Sequence, residues 1–370
     1  MNEIKAKNEK VKRKYFAHLR GAEGFSEKTV EAVEKAIWKY EEFGGDEDFA
    51  AFNDQRAKAF KKWLESARNK RTKQAVCLTT QYHVLRHLKD FFTWLSGQPG
   101  YKSRISPYHV QYLKLDKKQS RMAISPKRLE YPSAEYVKKV CQSIDIRNEV
   151  DRRDRALIAF TLLSAMRDSA VISLPMECFN PETLIVDQNP KKGVKTKFSK
   201  QIVTKLFLFD DELMGYFLDW YNYLKTEKLY TNTDPVFPRT KLQQKSDTDY
   251  CFEGDSIEPI FWQSTGSMSK AFKLRALAAG EKYYSPHKFR HTAIDEARRC
   301  ARTPEQMKAI SQNVGHESIG TTFCYGNMDY FRVTDVIARI DFKADETRAD
   351  DLSGVTTARL FKELQTRTSE

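Results

Sequence analysis

Apolar residues recur at three- and four-residue spacing through roughly the first hundred residues, and then the pattern changes. Val30, Val33, Ile37 and Tyr40 share one stripe of a helix expected over residues 28–43, with Ser26 set to cap it. Phe60, Trp63 and Leu64 mark a second helix over 54–68. Leu85, Leu88, Phe92 and Leu95 mark a third over 78–95, which Gly97-Gln98-Pro99-Gly100 ends. The spacing reads these aromatics as core packing, so residues 1–100 are expected to form a small all-α domain.

Beyond it, residues 101–131 read as an extended basic linker. Lys102, Arg104, Lys114, Lys117, Lys118, Arg121, Lys127 and Arg128 face only Asp116 and Glu130, and Pro107, Pro126 and Pro132 discourage a continuous helix. Such a stretch either tracks a nucleic-acid backbone or is a solvated connector. From residue 132 the pattern is mixed. Ser133 can cap a helix over 134–144, and 155–165 is a strongly apolar helix. Strands are expected at 183–187 and 201–209, joined by a Lys-rich turn over 189–200 that contains Pro190 and Gly193. Helices follow at 211–225, 267–279, 287–298 and 303–312. A tail over 341–370 opens with acidic residues and closes with a short helix at 357–365. A chain of 370 residues exceeds one ordinary core. The expected fold class is mainly α with a small β-sheet or hairpin: an N-terminal all-α domain, then a mixed α+β domain over 132–340.

Charge narrows the partners. Lys and Arg number 63 against 50 acidic residues, a net +13, which favours polyanions through phosphate contacts and counterion release. No apolar run approaches the roughly 18–20 residues of a membrane helix, and the charged residues 1–14 do not read as a signal peptide. A cytoplasmic protein is the expectation. The six cysteines, Cys77, Cys141, Cys178, Cys251, Cys300 and Cys324, are scattered without a Cys-x-x-Cys pair and read as reduced thiols.

One constellation carries chemistry. Ser285-Pro286-His287-Lys288-Phe289-Arg290-His291-Thr292 is followed by Val314-Gly315-His316 and then, nine residues after His316, by Tyr325. Cleaving a phosphodiester without metal needs a nucleophile, donors for the phosphoryl oxygens, and proton acceptors and donors for the attacking and leaving oxygens. Tyr325, Arg290 and the histidines fit these parts. Singly, each has a plain structural reading: His287 as a helix-start residue, Gly315-His316 as a turn, Tyr325 as a core tyrosine. Their joint spacing carries the functional one. His287 and His291 lie four apart as metal ligands do, but Lys288 follows His287 and no third ligand is evident, so no metal or cofactor is expected.

These boxes resemble those of the tyrosine recombinase (phage-type integrase) family, which read His-x-x-Arg-His-Thr and then Leu-Gly-His with Tyr nine residues on. His287, Arg290, His316 and Tyr325 match position by position. Leu163-Ser164-Ala165-Met166-Arg167-Asp168 resembles the family's first box, and gives Arg167 the role of first catalytic arginine. The resemblance implies a DNA strand-transfer enzyme working through a 3′-phosphotyrosyl link on Tyr325. Arg167 and Arg290 would clamp the non-bridging oxygens, His316 would donate to one, and His287 would help take the tyrosine proton. The family's general acid is a hairpin lysine; Lys195, followed by Thr196, best matches its wording, with Lys192 and Lys197 next. One departure stands out. Three residues after the first arginine the family carries a carboxylate, and here stands Ala170. Asp168, one residue on from Arg167, would point about 100° away on a helix.

The resemblance further implies that the N-terminal helices form a DNA core-binding domain. Lys114, Lys117, Lys118, Arg121, Lys127 and Arg128 would line DNA as part of the basic linker. Double-stranded DNA with a specific recombination site is the implied partner, bound by a homo-tetramer that accessory DNA-bending proteins assist, in the cytoplasm on the nucleoid. The tail would dock on a neighbouring protomer. The family's jobs include integration, transposition of mobile elements and dimer resolution. A DNA-binding module with lost catalysis, made thinkable by Ala170, and a topoisomerase-like nicking-closing enzyme are the other readings.

Overall fold

The computed structural model describes residues 3–45, 47–69, 73–125, 129–246, 249–316 and 320, with backbone alone over 242–246 and 249–253. The chain divides into two compact units, Met1–Lys127 and Arg128–Glu370, each with its own apolar core.

Unit 1 is all helical. Its elements are α1 (Glu3–Gly21), α2 (Glu27–Gly44), α3 (Asp54–Ser66), α4 (Leu78–Ser96), α5 (Pro107–Val110) and α6 (Lys117–Ile124). In α2 the stripe Val30, Val33, Ile37 and Tyr40 is buried, and Ser26 Oγ accepts from the Thr29 N–H. In α4 Leu85, Leu88, Phe92 and Leu95 are buried. Aromatic rings fill the centre, with Phe52 stacked on Phe92 at 4.0 Å between centroids.

Two features of unit 1 differ from expectation. The sequence pattern assigns no helix to the charged N-terminus, yet α1 buries Val11, Tyr15 and Leu19 on one face. Those three apolar residues are spaced i, i+4, i+8, too few to stand out among lysines and glutamates. Lys12, also buried, pairs with Glu9 at 2.6 Å and Glu41 at 2.9 Å. Nor is the stretch after residue 100 an extended linker. Tyr101, Ile105, Val110, Leu113, Leu115 and Ala123 belong to the unit 1 core. Pro107 occupies the first turn of α5, behind the Ser106 cap, where its missing N–H costs nothing and it starts a helix rather than ending one. Asp116 caps α6.

Unit 2 is built around α8 (Glu149–Ser164), in which every residue from Ala156 to Ser164 is buried. Packed on it are α7 (Ala134–Gln142), α10 (Asp211–Thr226), α11 (Thr265–Ala278) and α12 (Pro286–Cys300). The remaining helices are α9 (Asp168–Val171) and α13 (Pro304–Asn313). Thr303 and Gln306 form a capping box at the start of α13. Partly buried Arg275 ties α11 to α8 through Asp151 at 2.7 Å and Asp154 at 2.9 Å.

Strands β1 (Phe179–Asn180), β2 (Ile185–Gln188) and β3 (Ile202–Lys205) form an antiparallel sheet in that order, with Val186 opposite Thr204. The apolar run extends the expected second strand to residue 209; the strand stops at Lys205, and Phe207 N–H turns to the Leu163 carbonyl of α8. A second antiparallel pair, β4 (Arg239–Ser246) and β5 (Asp249–Glu258), has no counterpart among the expected strands. β4 is mostly polar, and β5 gathers Tyr250, Cys251 and Phe252 in one run rather than in the alternation that marks a half-buried strand.

Candidate active site

Arg167 comes from a break between helices, not from a helix face. Helix α8 ends at Ser164, and buried Ala165 adopts the left-handed region, with φ 49° and ψ 22°. Arg167 is then extended, with φ −75° and ψ 143°, as the N-cap of α9. Asp168 is therefore not turned about 100° from Arg167 as it would be on a helix, because Arg167 is not helical. Asp168 Oδ1 is buried with no hydrogen-bond partner among the described residues. Burial raises the Asp168 carboxyl above its ordinary range, and the charges of His287 and Arg290 oppose that rise. A carboxylate thus stands beside the His287–Arg290 pair although Ala170 is buried in the apolar core.

Arg290 is 2% exposed and joins three segments. Its Nη1 donates to the Ala165 carbonyl, its Nη2 donates to the Val314 carbonyl at 2.8 Å, and Nη2 lies 3.0 Å from His316 Nε2. A guanidinium only donates, so His316 Nε2 is the acceptor and the ring is neutral with its proton on Nδ1. Burial, with the Arg290 and Arg167 charges, lowers the His316 pKa to about 4, in agreement with that assignment. The His316 backbone N–H is held by the Ser311 carbonyl at 2.9 Å.

Gly315 is required where it stands. Its φ is +66°, and a Cβ there would lie 2.4 Å from Ile202 Cδ1 of β3. The turn that carries His316 therefore packs directly on the sheet. Asn313 strengthens the junction: its Oδ1 accepts from Lys205 N–H at 2.7 Å, its Nδ2 donates to the Lys205 carbonyl at 2.9 Å, and its own carbonyl accepts from Thr204 Oγ1 at 2.7 Å.

The lysine turn between β2 and β3 divides its lysines. Lys192 pairs with Glu177 at 3.0 Å, which raises its pKa. Lys195 is exposed; its backbone N–H donates to Ser173 Oγ at 2.8 Å and its carbonyl accepts from Ser169 Oγ at 3.1 Å. Lys195 lines a cavity of about 270 Å³ with Lys192, Glu177 and Ser173. Lys197 and Lys200 instead line a cavity of about 110 Å³ with Arg167, Phe198, Ile202, Gly315 and His316. The pattern of lysines alone does not distinguish these two sides. Phe198 and Ser199, between them, both have left-handed backbones, with φ 59° and 50°.

On α12 Pro286 occupies the first turn, and His287 and Arg290 lie on one face. His287 is exposed at the helix start, and its pKa is lowered by desolvation and by the Arg290 and Arg167 charges, against the pull of Asp168. His291 rests 5.2 Å from His287 and stacks on Tyr131 at 6.0 Å. Tyr325 lies outside the described residues, as do Lys127, Arg128, Cys324 and the tail over 341–370. Lys114, Lys117, Lys118 and Arg121 are exposed on unit 1.

Residues 133–331 match the model of the phage integrase family. Over 198 residues the chain is 26% identical to tyrosine recombinase XerS of Streptococcus sanguinis (strain SK36), covering 53% of this chain and 48% of that protein. Identity to the XerS of Streptococcus agalactiae serotype III (strain NEM316) is 24% over the same shares. The chain spans about half the length of the curated relatives it matches. Among solved structures, a lambda integrase (75-356) dimer bound to a COC′ core site aligns with TM-score 0.58 at 14% identity, covering 87% of this chain and 99% of that one. XerH recombinase in a post-cleavage complex with palindromic difH aligns with TM-score 0.58 at 16% identity, over 88% and 83%. The Tn1549 transposon integrase in complex with transposon right end DNA gives 0.51 at 14%, over 89% and 98%. At these identities the likeness is one of fold: mainly helical with small sheets, of the tyrosine recombinase type.

Proposed function

The chain belongs to the phage integrase family, and on that premise we propose that it is a site-specific DNA recombinase that cleaves and rejoins strands without metal or ATP. The Tyr325 hydroxyl attacks a backbone phosphorus and loses its proton. A 3′-phosphotyrosyl bond forms, the bond to the 5′ oxygen breaks, and that oxygen takes up a proton and leaves as a hydroxyl. Attack by the 5′-hydroxyl of another strand reverses each step, so no bond energy is lost.

The observation that carries this reading is the cavity in which Arg167 and His316 meet Lys197 and Lys200, with Arg290 fixed against His316. Negative charge on the transferring phosphoryl group is best stabilised by donors held in place beforehand. Arg167 offers a permanently charged fork, and neutral His316 carries its proton at Nδ1. Arg290 holds His316 and adds its positive charge. His287, depressed below its ordinary pKa, is a free base near neutrality and suits the Tyr325 proton. Asp168 acts on His287 as a positioning carboxylate in place of Ala170. For the general acid we favour Lys197 over Lys195, because Lys197 shares the cavity of Arg167 and His316.

Unit 1 is proposed as the core-binding domain. Exposed Lys114, Lys117, Lys118 and Arg121 serve as phosphate contacts, and Lys127 and Arg128 extend that basic stretch. The partner is duplex DNA carrying a recombination site, bound by a tetramer whose tails dock between protomers. Accessory DNA-bending proteins assist it, in the cytoplasm on the nucleoid.

The test begins with duplexes selected by the full chain from a random library and nicked to trap the covalent product. The wild type is expected to leave a protein–DNA adduct, unchanged by chelator, and Tyr325→Phe none; adduct that survives the substitution overturns the nucleophile. Two site-bearing duplexes should recombine, whereas relaxation of site-free supercoiled DNA would favour a topoisomerase. For the acid, Lys197→Ala is expected to slow adduct formation at least about 100-fold. A sulfur in place of the leaving oxygen should restore the rate. If sulfur rescues Lys195→Ala instead, Lys195 is the acid.

A further inference from the structure

Phe198 is 76% exposed, the most exposed of the large apolar side chains in the described residues. Its backbone has φ 59° and ψ 24°, and Ser199 follows at φ 50°. A solvent-facing left-handed position in a lysine-rich turn ordinarily takes Gly or Asn, and bulky residues avoid it. Neither burial nor backbone preference accounts for a phenylalanine there. Strain of this kind persists where it serves a site.

The ring has specific surroundings. Phe198 lines the cavity shared by Arg167, His316, Lys197 and Lys200. The Lys197 ammonium sits 4.8 Å from its centroid, and Lys195 and Lys200 flank it in sequence. An ammonium on an exposed aromatic ring, with Arg167 and Lys200 on the same cavity, matches a nucleotide: the cations suit the phosphates and the ring suits a base.

We propose that Phe198 is a nucleobase-stacking site. It receives the base next to the scissile phosphate once that base is drawn out of the helical stack, and so holds the phosphate open to attack. The inference rests on the strand-transfer reading above, and concerns a ligand contact that the chemistry itself does not require. Stacking an unpaired base on an aromatic ring offsets the loss of base stacking, in a sequence-tolerant way, because every base has a π face.

The test uses the full chain and the selected nicked duplexes, paired throughout or carrying an abasic nucleotide beside the scissile phosphate. Phe198→Ala is expected to slow adduct formation about 10- to 100-fold on the paired duplex and by less than about threefold on the abasic one, where no base needs a platform. Phe198→Tyr should retain the wild-type rate and Phe198→Leu should not. Equal rates for Phe198→Ala and wild type on paired DNA overturn the stacking site and leave the recombinase reading intact. A loss that the abasic duplex does not relieve also overturns it, because the ring then acts only on the turn. Equal rates for the Tyr and Leu variants overturn it as well. Failure of the wild type to form any adduct removes both proposals together.

Discussion

At the scale of single residues, the histidines around Arg290 have states set by burial and by neighbouring charges. His316 and His291 both have their pKa lowered to about 4 by burial and neighbouring cations. A histidine whose folded pKa lies below its unfolded value of about 6.5 binds its proton more readily when unfolded. Stability from these two residues is therefore full above about pH 6.5 and is lost as pH falls toward 4. Urea denaturation of the wild type should show that loss on going from neutral to acidic buffer, and His316→Asn should flatten it. An unchanged slope would place the acid sensitivity elsewhere. Asp168 works in the opposite direction, since its charge raises His287. Asp168→Asn is expected to shift the acidic limb of the pH–rate profile for adduct formation to lower pH. A uniform drop at every pH would instead mark Asp168 as merely structural.

At the scale of elements, β3 carries the junction. One end follows the lysine turn, and its residues Ile202, Thr204 and Lys205 receive the His316 turn and the end of α13. Asn313→Ala removes two hydrogen bonds to Lys205 and is expected to cost about 1–2 kcal/mol. It should also slow adduct formation, because the His316 turn is then less firmly seated; Gln312→Ala, an exposed neighbour, should do neither. Denaturation curves and adduct rates on both variants check this. Elements with dense signals were legible in the sequence: the apolar stripes of α2 and α4, the Ser26 cap, and the His287–Arg290 spacing on α12. Elements held by sparse or polar contacts were not. Helix α1 shows only Val11, Tyr15 and Leu19, and β4–β5 opens on a polar pair, Arg239 with Glu258 at 2.6 Å. The division of the lysine turn, with Lys195 on one cavity and Lys197 on another, depends on Ser169 and Ser173 holding the Lys195 backbone. No local pattern encodes that, and helical geometry misplaces Asp168 because α8 ends at Ser164 and Ala165 turns left-handed.

At the scale of the whole molecule, two separate cores predict two folding units. The fragment 1–127 contains every residue of the first core and is expected to unfold cooperatively by circular dichroism. A non-cooperative melt would show that it needs the rest of the chain. Its exposed lysines give a second readout. Replacing Lys114, Lys117, Lys118 and Arg121 with Gln in the full chain should reduce the salt dependence of DNA binding by about 0.9 logarithmic units for each phosphate that is no longer neutralised. An unchanged salt slope would remove these residues from the interface. Finally, Arg290 has at least three of its five N–H groups engaged by Ala165, Val314 and His316. That one side chain ties together segments on which folding depends and is also proposed to serve the chemistry, whereas Arg167 is partly exposed on a cavity wall. Lesions at the two arginines should then look unlike one another inside a cell. Arg290→Ala, leaving buried carbonyls without donors, is expected to cost about 3 kcal/mol and to lower the steady-state amount of protein. Arg167→Ala should accumulate normally, occupy its sites, and block them against any active copy.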